Sequence, residues 1–463
     1  MSGETRDNMT TGEAKPARRR RRRTWLAVLA VVVVLIASFS AARLALRWRI
    51  NAELQAIRDA GYPASVAELE KWAVHVDREI GADNLARACA GVTEPLRGIK
   101  DDLPFFRSGN LPGNPTEPLP KEVRDAMRVH LAANREALGR LHKVVGFGHG
   151  RGPIDWSQQR IPHLGTALVD RGECVQHAAR LLAIEAIEHA ERSQTDDLVA
   201  SLLTAVYVAR SLETEVKWPE QYYRLDAVAV TIDAIEWIVS RVPLSDAQLE
   251  EFISTYEHAE RRDAFQRVMA GYRAQDVDIF TNPSRLHDLD LVLTKGWRMD
   301  VYRLSGLLDL DRLRYLAIMG QYVDAAGRPV HERLNAFSRL DRHERKSSSF
   351  GRTITTAVLR HGGAFDDVAV TARLRTARAA LSAERYRRRE GRWPTDLRDV
   401  APDFIDELPA DAFTGAALKY SRTDDRVVVY CVGEDQKDDG GVNDKDSDDI
   451  PFSIRRPVEV RKR

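Results

Sequence analysis

Residues 25–42 read WLAVLAVVVVLIASFSAA, and this stretch sets the architecture of a chain of 463 residues. It holds eighteen residues without a charge, most of them Val, Leu, Ile and Ala. Roughly twenty such residues in a helix cross a hydrocarbon core of about 30 Å, so we expect the helix to continue to residue 47. Arg43 and Arg47 are then expected to extend toward the membrane interface. The sequence predicts a transmembrane anchor at residues 24–47, which contacts the lipid bilayer.

The positive charges around this stretch predict its orientation. Arg6, Lys15 and six consecutive arginines at 18–23 precede it, whereas four arginines follow within the next sixteen residues. Cytoplasmic flanks of membrane helices carry the excess of Lys and Arg. We therefore expect residues 1–23 to be a cytoplasmic basic tail and the bulk of the chain to be extracytoplasmic, as in a single-pass protein of the bacterial inner membrane.

Two alternatives apply to the same N-terminal region. The arginine run could bind nucleic acid or anionic lipid, but its place directly before an apolar helix favours a topological role. Ser38 and Ser40 could also precede a signal-peptidase cut at Ala41. The apolar stretch is long for a signal peptide, which favours an anchor that is retained.

Composition narrows the function classes. Lys and Arg number 70 and Asp and Glu number 69, so the overall balance gives no reason to expect a nucleic-acid partner. The three cysteines, Cys89, Cys174 and Cys431, lie far apart without metal-site spacing. We expect small buried side chains rather than a disulfide framework.

Helical patterns dominate the chain after the anchor. Residues 48–105 form a juxtamembrane helical segment, 106–120 a Pro/Gly-rich linker, and 121–365 an irregular antiparallel helical array. The polar run 342–349 within the array is interpreted as a surface loop. The fold class is therefore mainly α.

Two capping boxes mark helix starts within this region. Ser65 is followed three residues later by Glu68, and Ser245 is followed by Gln248. Each predicts a helix beginning at the next residue. Further helices are expected at residues 174–192, 198–212 and 225–240.

The pattern changes at residue 366. Asp366 or Asp367 is expected to cap a long helix that ends at Gly391, before strands at 418–422 and 427–432. An aspartate-rich loop and an apolar pair, Phe452 and Ile454, follow. Residues 366–457 are thus predicted to form a small α+β unit, and 458–463 a basic tail.

This unit resembles the globular domain of the major pseudopilin of type II secretion systems. The similar features are a helix ending in Gly-aromatic-Pro, the Leu-Pro-x-Asp-x-aromatic-x-Gly element at 408–415, Tyr420, and the segment 430–435 that ends the second strand. The resemblance covers about the last ninety residues and implies a bound calcium ion in the Asp-rich loop. The apolar helix here lies far from the unit in sequence and lacks the assembly glutamate of a pilin, so polymerisation is not expected.

Calcium is also favoured by the residues themselves. Seven aspartates occur between positions 435 and 449, with only two lysines as counter-charge. Calcium takes six to eight oxygen ligands, chiefly carboxylates. The predicted ligands are Asp435, Asp444, Asp446 and Asp448. An EF-hand is excluded because Asp449 and Arg455 replace its glycine and glutamate, and a solvated acidic loop is the alternative.

No catalytic motif or cofactor-binding motif was found in the sequence. Glu185 and His189 lie four residues apart but without an HExxH motif, and the glycine-rich stretch 146–152 lacks the Lys-Ser/Thr of a phosphate loop. The leading hypothesis is a membrane-anchored binding or scaffolding protein that contacts envelope proteins. The alternatives are an extracytoplasmic hydrolase with an unrecognised site and an accessory component of a secretion or pilus-like machine.

Overall fold

The computed structural model describes residues 16–73, 85, 87–89, 91–106, 111, 115, 117–145, 166–281, 297–346, 353–359, 362–442 and 447–456. The described part of the protein is mainly helical, with 68% helix and 5% strand. The helices are α1 Pro16–Asp59, α2 Val66–Ala73, α3 Lys121–Ala133, α4 Arg135–Val144, α5 Thr166–Glu191, α6 Thr195–Arg210, α7 Trp218–Arg241, α8 Asp246–Ala259, α9 Ala264–Asp276, α10 Trp297–Leu304, α11 Leu307–Ala326, α12 Val330–Lys346, α13 Thr353–Val358 and α14 Ala364–Glu390. Short 3-10 helices occupy Val277–Phe280 and Leu397–Val400. The strands are β1 Lys419–Arg422, β2 Arg426–Cys431 and β3 Ile450–Arg455.

Helix α1 is 44 residues long and joins the apolar stretch to the body of the protein without a break. Its apolar window has a mean hydropathy of 2.6, and none of that window is buried, so the helix is long and apolar enough to cross a membrane. Beyond it, Ile50, Leu54 and Ile57 are buried in the same core cluster as residues of α9 and α11. The anchor is thus continuous with a core helix.

The two arginines after the apolar stretch contact protein rather than extending alone toward the interface. Arg43 forms an ion pair with Asp309 of α11 at 2.9 Å, and Arg47 lies 3.8 Å from the same carboxylate. Arg43 also donates to the carbonyl oxygens of Arg303 and Leu304 at 3.0 and 2.8 Å. The sequence did not reveal this acidic partner, which lies 266 positions after Arg43, and the extension of the two side chains toward the interface stays a prediction.

The helices α5 to α8 form the antiparallel array that short connections predict. The Ser245 capping box is confirmed: Ser245 Oγ accepts from the Gln248 backbone N–H, and Gln248 Oε1 accepts from that of Ser245.

Helix α7 begins at Trp218, earlier than predicted, because Pro219 lies in its first turn, where no backbone donor is needed. Helix α12 contains residues 342–346, so the predicted surface loop is wrong for that part of the run.

The C-terminal strands form an antiparallel sheet in the order β1-β2-β3. The side chains on one face of the sheet are fully buried and belong to the same core cluster as α14: Val427, Val429, Cys431, Phe452 and Ile454. Asp411 of the preceding loop is buried and accepts from the backbone N–H of Phe413, Thr414 and Val432, so it joins that loop to the end of β2. The other face of the sheet is turned toward α7.

Helix α14 begins after Gly363, which has a φ of +96°, and its first turn contains Asp366 and Asp367. Neither aspartate is the cap that the sequence predicted. Asp367 is instead buried and accepts from Arg333 Nη1 of α12 at 2.6 Å. Helix α14 also packs on α7 and α8, so the hydrophobic core is continuous from the array to the sheet.

Several predictions fall on residues outside the described part of the chain. They are most of the linker, the glycine-rich stretch 146–152, the basic tail, and the proposed calcium ligands Asp444 and Asp446.

Candidate functional site

A cleft with a volume of about 830 Å³ lies between α7 and the outward face of the sheet. Phe105, Leu111 and Pro115 also line it, as does the loop 440–442. A cleft of this size with convergent polar groups is the usual form of a small-ligand site. It is therefore the candidate functional site.

Helix α7 provides an acidic wall. Asp226, Val230, Asp233, Trp237 and Ser240 recur at intervals of three and four residues, so they lie on one face of the helix. Glu236 lines the cleft beside them. One helix thus places three carboxyl groups along the same cavity.

Each of these carboxylates is bound by the protein. Asp226 accepts from Gln176 Nε2 at 2.8 Å and from Arg180 Nη2 at 3.1 Å. Asp233 pairs with Arg373 of α14, although its side chain is still 45% exposed. The carboxylates Asp226 and Asp233 of the acidic wall therefore already accept hydrogen bonds from the protein itself.

Glu236 connects the two walls of the cleft. Its Oε1 accepts from the backbone N–H of Ser453 at 2.8 Å and from Ser453 Oγ at 3.0 Å. Burial raises the pKa of Glu236 to about 7, opposed by the Ser453 hydrogen bonds and reinforced by the neighbouring Asp233. The carboxyl group consequently exchanges its proton near neutral pH. Ser240 Oγ accepts from the N–H of Arg455, so α7 satisfies the outer edge of β3 as well.

The sheet provides the opposite, basic wall. The strand register places Ser421, Val428 and Ser453 in one row across the three strands. In the next row Arg426 lies directly opposite Arg455. All five residues line the cleft. Two guanidinium groups are therefore adjacent on its floor.

These arginines form no direct ion pair with a carboxylate among the described residues, although Glu236 and Asp425 lie close enough to Arg426 to act on its charge. Arg422, Arg426 and Arg455 form no ion pair and donate no side-chain hydrogen bond within that part of the chain, and Arg426 Nε is buried without an acceptor. Burial lowers the pKa of Arg426 and the charge of Arg455 lowers it further, while the carboxylates of Glu236 and Asp425 oppose this shift. Like charges placed directly opposite are unfavourable in a sheet. The arginines thus offer unused N–H donors and a positive potential in the cleft, and an anion could accept from these donors.

The predicted calcium ligands are only partly visible. Asp435 is exposed and its carboxylate accepts from Lys437 Nζ at 2.8 Å, while Asp448 is exposed and Asp444 and Asp446 lie outside the described residues. Asp449, which the prediction omitted, is buried and accepts from the N–H groups of Asp439 and Gly441. Within the described ranges no three His, Cys, Asp or Glu side chains are placed to hold a metal ion. Calcium binding stays a prediction.

Glu185 and His189, the pair considered in the sequence, do not contact each other in the structure but bind other residues. Glu185 is bound by His142 Nε2 at 2.7 Å and by Ser201 Oγ at 2.9 Å, whereas His189 contacts Gln194 instead. Ser201 is fully buried and donates to the glutamate, so it is not placed as a nucleophile. Histidines do not line the described cleft; its charged groups are carboxylates and arginines.

Sequence reasoning missed the cleft because its walls are far apart in the chain. Glu236 and Ser453 are separated by 217 positions. The only local signal was the helical spacing of acidic residues in α7, which is also usual for a solvated helix face. The cysteines, in contrast, form no disulfide in the described part of the chain, with Cys89 and Cys431 buried and Cys174 half-buried.

Comparisons with known proteins identify no relative. No family model matches the chain, and neither the curated proteins nor the solved structures contain a match. The site is therefore interpreted from its own chemistry.

Proposed function

We propose that this protein is a membrane-anchored binding protein whose body faces the extracytoplasmic side and takes an anionic ligand in the cleft between α7 and the sheet. The ligand carries a carboxylate or phosphate group, either free or as part of an envelope partner. The single observation that carries this proposal is the pair Arg426 and Arg455, adjacent on the cleft floor and without a direct ion pair in the described chain.

The chemistry of arginine supports this class of ligand. The guanidinium group is planar and offers donors in a fixed fork that matches both oxygens of a carboxylate or phosphate. The N–H groups of Arg426 and Arg455 converge on one cavity, where the partial exclusion of water strengthens charge-assisted hydrogen bonds. The acidic wall does not cancel this positive charge completely, because its carboxylates are paired with Gln176, Arg180, Arg373 and Ser453.

Titration calorimetry on the full-length protein in lipid nanodiscs tests the proposal. Inorganic phosphate, phenyl phosphate and succinate serve as probes. We expect at least one of them to bind the wild type, and the R426Q/R455Q double variant to weaken binding at least about tenfold, which corresponds to roughly 1.4 kcal/mol. Glutamine keeps hydrogen-bonding capacity but removes the charge.

The matched control is R398Q, because Arg398 is 83% exposed and lies outside the cleft lining. This variant should bind the probes like the wild type. The proposal is contradicted by the absence of binding for all three probes. It is also contradicted by equal affinities in the wild type and the double variant.

A second candidate function is hydrolysis by acid–base catalysis. It is favoured by Glu236, whose pKa of about 7 suits a group that both donates and accepts a proton at neutral pH. A substrate screen with the wild type and E236Q distinguishes the two functions. Turnover that is lost in E236Q supports catalysis, whereas binding without turnover supports a binding protein.

The calcium site is a separate proposal based on the sequence resemblance and the ligand preference of calcium. Titration of the full-length protein with calcium should release heat and raise its melting temperature. The D444N/D446N variant should lose both effects. An unchanged melting temperature in the wild type would remove the site.

A further inference from the structure

Helix α10 exposes a row of large apolar side chains to solvent. Trp297 is 71% exposed, Val301 50% and Leu304 72%. They lie at positions i, i+4 and i+7, so they share one side of the helix. The opposite side, with Met299 and Tyr302, is buried in the core that also contains the second half of α1. This helix therefore has an internal apolar side and a second, uncovered one.

The position of α10 beside α1 indicates what covers that side. The carbonyl oxygens of Arg303 and Leu304, at the end of α10, accept from Arg43 Nη1. Arg43 directly follows the last residue of the charge-free apolar stretch. The end of α10 thus lies at the level where α1 leaves the hydrocarbon.

A close backbone approach fixes this geometry. Gly306, which follows α10, has a φ of +84°, and a Cβ atom there would lie 2.7 Å from Arg43 Cδ. Only glycine fits this position without displacing the arginine. The contact between α10 and α1 is therefore defined by packing as well as by hydrogen bonds.

The polar residues of α10 suit a lipid surface. Arg298 and Asp300 are exposed beside the apolar row and Arg303 is exposed farther around the helix, so basic residues outnumber the acidic one. Interfacial helices combine such basic residues with Trp and Leu, whose side chains enter the boundary between headgroups and acyl chains. Trp48 of α1 is 72% exposed at the same end of the membrane span, as expected for an indole at the interface.

We propose that α10 is an interfacial helix, which lies in the surface of the same bilayer that α1 spans and inserts Trp297, Val301 and Leu304 among the lipids. The occupant of this apolar side is the lipid bilayer, because the row ends at Leu304, whose carbonyl oxygen accepts from Arg43 at the end of the apolar stretch of α1. The body then contacts the membrane at two places, α1 and α10. This interaction is independent of the ligand in the cleft.

An environment-sensitive fluorophore at position 301 tests the proposal in the full-length protein. V301C is labelled with the nitrobenzoxadiazole fluorophore in a C174S background. Burial raises the pKa of the Cys89 thiol to about 12 and also raises that of Cys431, so these cysteines stay unlabelled in the folded protein. The labelled protein is reconstituted in nanodiscs of phosphatidylcholine and phosphatidylglycerol, with or without lipids that carry a nitroxide near the headgroup end of the acyl chain.

The matched control is V129C, because Val129 of α3 is a helical valine of similar exposure, 46%. We expect the nitroxide lipids to quench the label at 301 by about twofold or more and to leave the label at 129 nearly unchanged, since only the former enters the acyl boundary. Adding W297E/L304E should abolish the quenching at 301 while α1 keeps the protein in the membrane.

Two outcomes would overturn the proposal. Equal accessibility of both labels to aqueous iodide, without lipid quenching, would place α10 in water. A blue-shifted emission at 301 that lipid nitroxides do not quench but that varies with the number of protein copies per disc would assign the surface to a second copy of the chain.

Discussion

The carboxyl group of Glu236 makes the stability of the protein depend on pH. Its pKa is about 7 in the folded protein, above the ordinary value of 4.5. Between these two pH values the folded state binds more protons than the unfolded state, so the free energy of unfolding falls as pH rises. Above pH 7 the carboxyl group of Glu236 is ionised in both states, and its contribution to the free energy of unfolding no longer changes with pH.

We predict that E236Q is more stable than the wild type at pH 8.5, by on the order of 1–3 kcal/mol, and nearly equal to it at pH 4.5. Glutamine can still accept from Ser453 through its side-chain oxygen but is never charged. Urea unfolding at the two pH values measures the difference. A constant difference at both pH values would contradict a proton-linked effect.

Asp367 is the buried partner of a buried cation. Arg333 is 4% exposed and donates to Asp367 Oδ2 and to the carbonyl oxygens of Arg328 and Arg262. We predict that D367A destabilises the protein by about 3–5 kcal/mol, because it leaves a buried guanidinium without its counter-charge. Chemical denaturation measures this loss.

The neighbouring position supplies the control for that prediction. D366A removes a carboxylate from the same helical turn without removing the partner of Arg333. It should change stability by about 0.5–1 kcal/mol at most, the usual size of a charge effect at a helix N-terminus. Equal losses in the two variants would show that the ion pair is not the cause.

Among single residues, those with local partners could be predicted from the sequence. Ser245 and Gln248 satisfy each other across three positions, and a residue pattern identifies such a pair. The role of Asp367 depends on Arg333, which lies 34 positions away on another helix. Sequence reasoning therefore assigned Asp367 to its nearest local task, a helix cap, and that assignment was wrong.

At the scale of one element, the capping box should stabilise α8 measurably. We predict that S245A lowers the free energy of unfolding by about 1 kcal/mol, because the N–H of Gln248 loses its acceptor. S254A is the control, since Ser254 is an exposed residue inside the same helix, where alanine is the better helix former. Thermal unfolding should show a loss only for S245A; equal shifts would argue against the cap.

Helices were easier to predict than their ends or the strands. The apolar period identified α5, α6 and α7, but α7 begins seven residues earlier than expected because Trp218 and Pro219 open it. The strand β3 was visible only as the apolar pair Phe452 and Ile454. Its pairing with β2 and its contact with α7 are long-range, so neither follows from local periodicity.

At the scale of the whole molecule, the orientation of α1 remains a prediction. A C-terminal fusion to an enzyme that is active only outside the cytoplasm should be active in cells, because the arginines at 18–23 keep the N-terminal tail inside. Replacing those six arginines by glutamine should lower that activity. A fluorescent protein that matures only in the cytoplasm supplies the control at the same fusion site, and fluorescence of the wild-type fusion would contradict the orientation.

The main helical class and the membrane-spanning helix could be predicted because both depend on composition and period over adjacent residues. The core that the helical array shares with the C-terminal sheet could not be predicted in this way. Buried residues from α5, α8, α14 and the sheet belong to one cluster, although the change of pattern at residue 366 suggested a separate unit. The cleft likewise exists only after α7, from the middle of the chain, is packed against the C-terminal strands.

Helix α1 joins the apolar stretch to the core of the body as one uninterrupted element. A helix whose apolar length exceeds the local bilayer thickness tilts to keep that length among lipids. Because Ile50, Leu54 and Ile57 are packed into the core, such a tilt would rotate the attached helices together with α1. Lipid thickness and lateral tension would then set the angle at which the mouth of the cleft meets its surroundings, so the bilayer would orient the body of the protein.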